Sequence, residues 1–259
     1  MINLKSIKKV VRKIIKKLDV TNINFHFYRE LIEYRIYGGF FENPRNQTAY
    51  DELLSKNYNE EREKLIDWKK ENDAMIFYLN QLPDSLKILD IPFGTGRFVD
   101  YYLKKKFEIY GIDLSSNMLE NSKNYLKENY NHCKLQIGDA SKINYGDNFF
   151  DLVICFRFLP HIVSLETALK SIQEVSRVCS KYAIIQIGIR DKNFKRLRKP
   201  LPHEKMGTWF YENEINDLFL KNNLKVINKS EMLHGGVTMN KKFFKNPGGW
   251  YALLCEKIN

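Results

Sequence analysis

The chain has 259 residues, 44% apolar and 28% charged, which excludes a wholly disordered polymer and allows one large domain with an appendage. Its formal charge is +11, but the first 18 residues hold Lys5, Lys8, Lys9, Arg12, Lys13, Lys16 and Lys17 without one acid, so the body carries only +4. The basic balance is therefore a property of the N-terminal segment and says little about what the body binds.

Cys133, Cys155, Cys179 and Cys255 lie far apart, with no CxxC pair and no Cys/His cluster of zinc spacing, so no metal is expected. They read as reduced core residues of a cytoplasmic protein. No apolar run approaches the roughly 18 residues that span a bilayer. The N-terminus also lacks the continuous apolar stretch of a secretion signal.

Within residues 1–20, Leu4, Ile7, Val10, Val11, Ile14, Ile15 and Leu18 recur at three- and four-residue intervals among the lysines, the pattern of a basic amphipathic helix. Three uses fit residues 1–18. They are self-association or packing on the body, peripheral contact with the anionic inner face of a membrane, and a nucleic-acid arm, the last weakened by the absence of rings for base stacking. Residues 21–84 read as a helical cap. Its first half is rich in rings, among them Tyr50, which we assign to the substrate, and a charged helix is expected from Asn57 to Leu82 before Pro83 and Asp84 end it.

From residue 85 to 259 the pattern alternates. Strands are expected at Lys87 to Ile91, Phe107 to Ile112, Lys134 to Ile137, Phe150 to Phe156, Ala183 to Ile187, Leu224 to Lys229 and Trp250 to Glu256. Helices are expected at Gly96 to Lys106, Ser116 to Asn129, Leu165 to Ser180 and Glu212 to Asn222, the last opened by Trp209, Phe210 and Tyr211. Such alternation implies an α/β, Rossmann-like, seven-stranded and mainly parallel sheet. Its last two strands have no helix between them and are expected to form an antiparallel hairpin.

Ligands bind such sheets beyond the carboxyl ends of the strands. Asp90 closes the first strand and runs through Ile91, Pro92 and Phe93 into Gly94-Thr95-Gly96, a turn that lets backbone approach a ligand closely. Asp113 follows the second strand, 19 residues past Gly94, where a ribose-binding acid is expected. Asp139 follows the third and can accept from an adenine amino group.

In these residues the chain resembles the class I S-adenosylmethionine-dependent methyltransferases. Ile88 to Phe98 is similar to their first motif, and Gly111-Ile112-Asp113-Leu114-Ser115 with Met118-Leu119 to their second. Gly138-Asp139-Ala140 and then Asp147 to Cys155 are similar to their third and fourth. The resemblance covers residues 86–259. It implies S-adenosyl-L-methionine as cofactor, leaving as S-adenosyl-L-homocysteine. Asp90 would lie near the methionine part, Gly94 and Gly96 beneath it, Asp113 on the ribose and Asp139 at the adenine, with Phe93, Leu114, Met118 and Ala140 completing the cofactor site. Two departures stand out: Pro92 replaces the family's first glycine, and Val99 replaces the third glycine of a dinucleotide fingerprint, which argues against a dehydrogenase.

The acceptor side is expected after strand four, where Arg157 and His161 follow Cys155, with His203 as a second candidate base. The segment from Arg190 to Lys205 carries seven bases against two acids, and Arg190, Arg196 and Arg198 are assigned to a small anionic acceptor. No Asn-Pro-Pro-aromatic signature is present, so an oxygen acceptor such as a sugar, a sugar phosphate or another phosphorylated cell-surface glycan precursor is expected. The alternatives are an RNA methyltransferase and a catalytically silent cofactor-binding partner subunit.

Overall fold

The computed structural model describes residues 66–162, 164–190, 195–196, 208–234, 244–245 and 248–258, all within the unit Asn43–Asn259. The expected helix at residues 1–20, the cap up to residue 65, Tyr50, Arg198 and His203 lie outside the described residues, as does the side chain of Arg196.

In chain order the elements are α1 (Ile66–Leu79), β1 (Lys87–Asp90), α2 (Val99–Lys104), β2 (Glu108–Asp113), α3 (Ser116–Leu126), β3 (Cys133–Ile137), β4 (Phe150–Cys155), α4 (Leu165–Val178) and β5 (Cys179–Arg190). The pair β6 (Lys195–Arg196) and β9 (Phe244–Lys245) stands apart from the main sheet. β7 (Trp209–Tyr211), α5 (Glu212–Lys221), β8 (Leu224–His234) and β10 (Gly249–Lys257) complete the fold.

The main sheet runs β3-β2-β1-β4-β5-β10-β8, parallel from β3 to β5 and antiparallel across β10 and β8. All seven expected strands are present and the terminal pair is antiparallel as expected. β1 lies between β2 and β4, which puts the reversal of strand order, and the crevice it opens, beside the turn after Asp90.

The central strands are apolar on both faces because both are covered. Successive residues go to opposite sides, as a period of two requires. Ile88, Leu152 and Ile184 enter one core with α1, α2 and α3. Leu89, Val153 and Ile185 enter the other with α4 and α5. α4 starts where the Ser164 hydroxyl accepts from the Thr167 N–H at 3.2 Å, and it buries Ala168, Ile172 and Val175 at three- and four-residue intervals.

Three details go beyond the sequence reading. Residues 66–79 pack on the sheet itself, with Met75, Tyr78 and Leu79 buried in its core. The Tyr78 hydroxyl reaches the Ala252 carbonyl at 2.9 Å and Ser230 Oγ at 2.8 Å. Strands five and eight are longer than expected because β10 pairs with β5 from Glu256↔Tyr182 to Gly249↔Ile189, satisfying backbone groups along that length. Trp209, Phe210 and Tyr211 form a short strand before the expected helix, with Tyr211 as its N-cap residue. The pairing of β4 with β5 ends at Cys155↔Ile185, so the next stretch of that edge, Gly188 to Arg190, is satisfied by β7 in parallel.

If α1 is part of the sheet domain, Met75→Ala should destabilise the whole of it by about 2–5 kcal/mol. Urea unfolding followed by far-UV and near-UV circular dichroism should give one coincident, shifted transition; a shift confined to a fraction of the helical signal would mean that α1 unfolds independently.

Candidate active site

The turn after β1 is held from both sides. The Ile91 N–H donates to the Ile154 carbonyl of β4 at 2.9 Å, and the Phe93 N–H to the Ile112 carbonyl of β2 at 2.8 Å. Pro92 lies between these two bonds, so its missing N–H costs the turn no sheet bond; the Ile91–Pro92 peptide is cis. Gly94 and Gly96 then take φ of +59° and +76°, a conformation that a side chain disfavours. The Phe93 ring folds beneath the turn onto Gly111, where a Cβ would stand 2.3 Å from it.

Asp113 joins this turn to the next. One carboxylate oxygen accepts from the Gly94 N–H at 2.7 Å, and the other from the Ser115 N–H at 2.9 Å. Ser115 in turn caps α3, its hydroxyl accepting from the Met118 N–H at 3.3 Å. A carboxylate oxygen has more than one lone pair, so each can also accept from a ribose hydroxyl.

Asp90 is fully enclosed at the base of the cavity. Burial, opposed by a hydrogen bond from the Tyr102 hydroxyl at 3.0 Å and by nearby Arg97, pushes its carboxyl up to about 8. The same burial and the Asp90 charge raise the Tyr102 phenol.

One cavity gathers Asp90, Phe93, Gly94, Asp113, Leu114, Met118 and Asp139, seven of the nine residues assigned to the cofactor. Gly96 does not line it and instead closes the turn, its N–H on the Phe93 carbonyl at 3.0 Å. Ala140 is buried behind Asp139 in the apolar core. The glycine turn and the acids at the ends of β1, β2 and β3 fit a nucleoside linked to an amino acid.

The same cavity is also lined by Trp68, Arg97, Phe98, Phe156, Arg157 and Phe158. Of the acceptor residues expected from sequence, Arg157 is therefore at the cavity. His161 is not: it ends a single 3-10 turn, Leu159–His161, and its ring lies edge-on to Trp250 at 5.1 Å. Arg190 ends β5 with its guanidinium 5.7 Å from the Trp209 ring, also off the lining.

Sequence reasoning missed Glu71, Trp68, Arg97 and Gln186. Glu71 has no exposed surface and accepts from Arg97 Nη1 at 2.9 Å, Arg157 Nη1 at 2.8 Å and Gln186 Nε2 at 3.1 Å. Burial works to raise its pKa, but Arg157 and Arg97 hold it below the usual carboxylate value. Arg97 Cζ also lies 3.9 Å from the Trp68 ring centre and 4.3 Å from that of Phe98. A signal was available: Glu71 is an acid at helical spacing among Trp68, Met75, Tyr78 and Leu82.

A sequence profile described as a methyltransferase domain matches residues 88–181, the span from β1 into β5. Over this span the chain is similar to S-adenosylmethionine-dependent methyltransferases. It is 30% identical over 151 residues to the putative methyltransferase YqeM of Bacillus subtilis, covering 58% of this chain and 53% of that one. It is 28% identical over 118 residues to the ubiquinone/menaquinone biosynthesis C-methyltransferase UbiE of Neisseria meningitidis, covering 44% and 45%. The chain thus spans about half the length of the curated relatives it matches. Magnesium protoporphyrin IX methyltransferase from Synechocystis, solved with bound S-adenosylmethionine, shares the fold at a TM-score of 0.56 and 14% identity, over 83% of this chain and 99% of that one.

Because the folded-state pKa of Asp90 is raised to about 8 from 3.8, the folded protein keeps a proton that the unfolded chain loses, and stability falls as pH rises through that window. Asp90→Asn carries no such charge and can still accept from Tyr102. Its melting temperature relative to wild type, measured without cofactor, should rise between pH 5 and pH 9; a constant difference across that range would show that Asp90 is ionised throughout.

Proposed function

We propose that the protein transfers a methyl group from S-adenosylmethionine to an oxygen of a small anionic acceptor. The observation that supports this most is that one cavity is lined both by the cofactor-type residues Asp90, Gly94, Asp113 and Asp139 and by the cations Arg97 and Arg157. When bound, the cofactor supplies a methyl group activated by its sulfonium. The chain's own task is then to align two reactants, from which much of the rate of an in-line displacement comes.

Asp113 orients the nucleoside end through the two oxygens that the Gly94 and Ser115 amides fix in place. Asp90 lies where a methionine ammonium would return its carboxyl to the ionised form. Trp68, Phe98, Phe156 and Phe158 keep water from the reacting end. Arg157 supplies the charge that would hold a carboxylate or phosphate on the acceptor. An acceptor arriving as an oxyanion needs no general base. That agrees with His161 lying against Trp250 rather than in the cavity.

A second reading, methylation of carbon on a flat ring, is favoured by those same aromatic walls and by the likeness to a C-methyltransferase. No helix among the described residues is long and apolar enough to cross a membrane.

Two measurements test the proposal. Calorimetry should show S-adenosylhomocysteine binding that Asp113→Asn weakens by roughly a hundredfold, because the new amide nitrogen faces an N–H and loses an acceptor; unchanged affinity would remove Asp113 from the site. Incubation of small-molecule extracts with 13C-methyl S-adenosylmethionine should give a methoxy or methyl-ester carbon resonance. A methyl resonance on carbon would instead support the second reading.

A further inference from the structure

Glu71 lies on α1, outside the span 88–181 that matches the methyltransferase-domain profile, yet it bonds to two arginines that line the cavity. Three elements meet at its carboxylate. Oε2 accepts from Arg97 Nη1, just after the glycine turn; Oε1 accepts from Arg157 Nη1, just after β4, and from Gln186 Nε2 on β5. Gln186 is likewise fully buried, and its Oε1 accepts from the main-chain N–H of Arg157 at 2.7 Å.

Arg157 is thus gripped twice, at its backbone through Gln186 and at its guanidinium through Glu71. Its backbone pays a conformational cost, with φ at +54°, a region that favours glycine. The guanidinium also lies 5.8 Å from the Trp250 ring. Nothing in the packing of α1 calls for a carboxylate here, because the neighbouring positions Met75, Tyr78 and Leu79 are buried in an apolar core. A buried acid is tolerated only when paired, and here both arginines that pair it line the cavity.

We propose that Glu71 is a positioning residue of the methyl-transfer reaction, holding the Arg157 guanidinium at the cavity wall where it receives the carboxylate or phosphate of the acceptor. The inference rests on the anionic-acceptor reading above. A free arginine side chain samples many rotamers, and each binding event must otherwise freeze them. Glu71 freezes Arg157 in advance, so the acceptor meets a preorganised fork. It also fixes Arg97, and through it the contact with Trp68, which lines the same cavity.

The sign of the effect separates this role from simple electrostatics. Glu71 is an anion close to the proposed anion site. If it acted only by its charge, neutralising it would tighten anion binding; if it acts by positioning, neutralising it loosens binding.

The test uses the full chain saturated with S-adenosylhomocysteine, labelled with 15N-arginine, and titrated with inorganic phosphate and with benzoate. The Arg157 Nε–H resonance is assigned by its loss in Arg157→Lys. In wild type that resonance should shift saturably with at least one probe. In Glu71→Gln the affinity for the same probe should fall roughly tenfold, with S-adenosylhomocysteine still bound. Glu71→Asp keeps the charge but shortens the reach, and should also weaken binding; it decides the matter if Glu71→Gln does not fold. Equal or tighter probe binding in these variants overturns the positioning role and leaves the anionic-acceptor reading standing. Failure of wild type to bind either probe overturns that reading and the inference with it.

Discussion

The glycine-turn side of the cavity depends on one carboxylate making two short bonds to backbone. Asp113 ties the Gly94 amide of the turn after β1 to the Ser115 amide that opens α3, so the two loops at the switch in strand order cannot move independently. Hydrogen bonds to a charged acceptor are worth about 1.5–3 kcal/mol each, more than an ordinary turn bond. The turn is further held by Ile91 on β4 and Phe93 on β2, which places Gly94 between three strands. The rigidity of the site is inherited from the sheet.

The lining arginines Arg97 and Arg157 depend on a second carboxylate, with opposite logic. Asp113 gathers neutral amides around a charge at the cavity; Glu71 gathers two cations around a charge away from water. Removing one partner of such a buried group leaves the others unpaired and typically costs about 3–5 kcal/mol. Asp90 is a third case. Among the described residues it has only Tyr102 as a close hydrogen-bonding partner, so burial raises its carboxyl to about 8 where that of Glu71 falls. Asp113, Glu71 and Asp90 therefore sit in three different environments.

The sheet was legible because the alternation of apolar runs and helical spacing survives in single residues: Ile88 and Leu89, or Leu152 and Val153, fill opposite cores as their order implies. The gathering of Asp90, Asp113 and Asp139 at one cavity was legible because each acid closes or follows a strand. What was hidden depends on partners distant in sequence. β7 exists because β5 outruns β4, which no local pattern of Trp209-Phe210-Tyr211 reveals. Glu71 meets Arg157 across 86 positions and Gln186 across 115, so no local pattern around α1 reveals that meeting. His161 read as a candidate base because it follows β4, but the short turn at Leu159–His161 carries its ring onto Trp250.

The central claim is that the glycine turn and Asp113 form the floor of an S-adenosylmethionine site. A crystal structure of the full chain with S-adenosylhomocysteine tests it most directly. The account expects the ribose hydroxyls within hydrogen-bond distance of Asp113, the amino-acid end over Gly94 toward Asp90, and the sulfur facing Arg157. Ligand bound elsewhere on the chain, with the cavity between Asp90 and Asp139 empty, would contradict it.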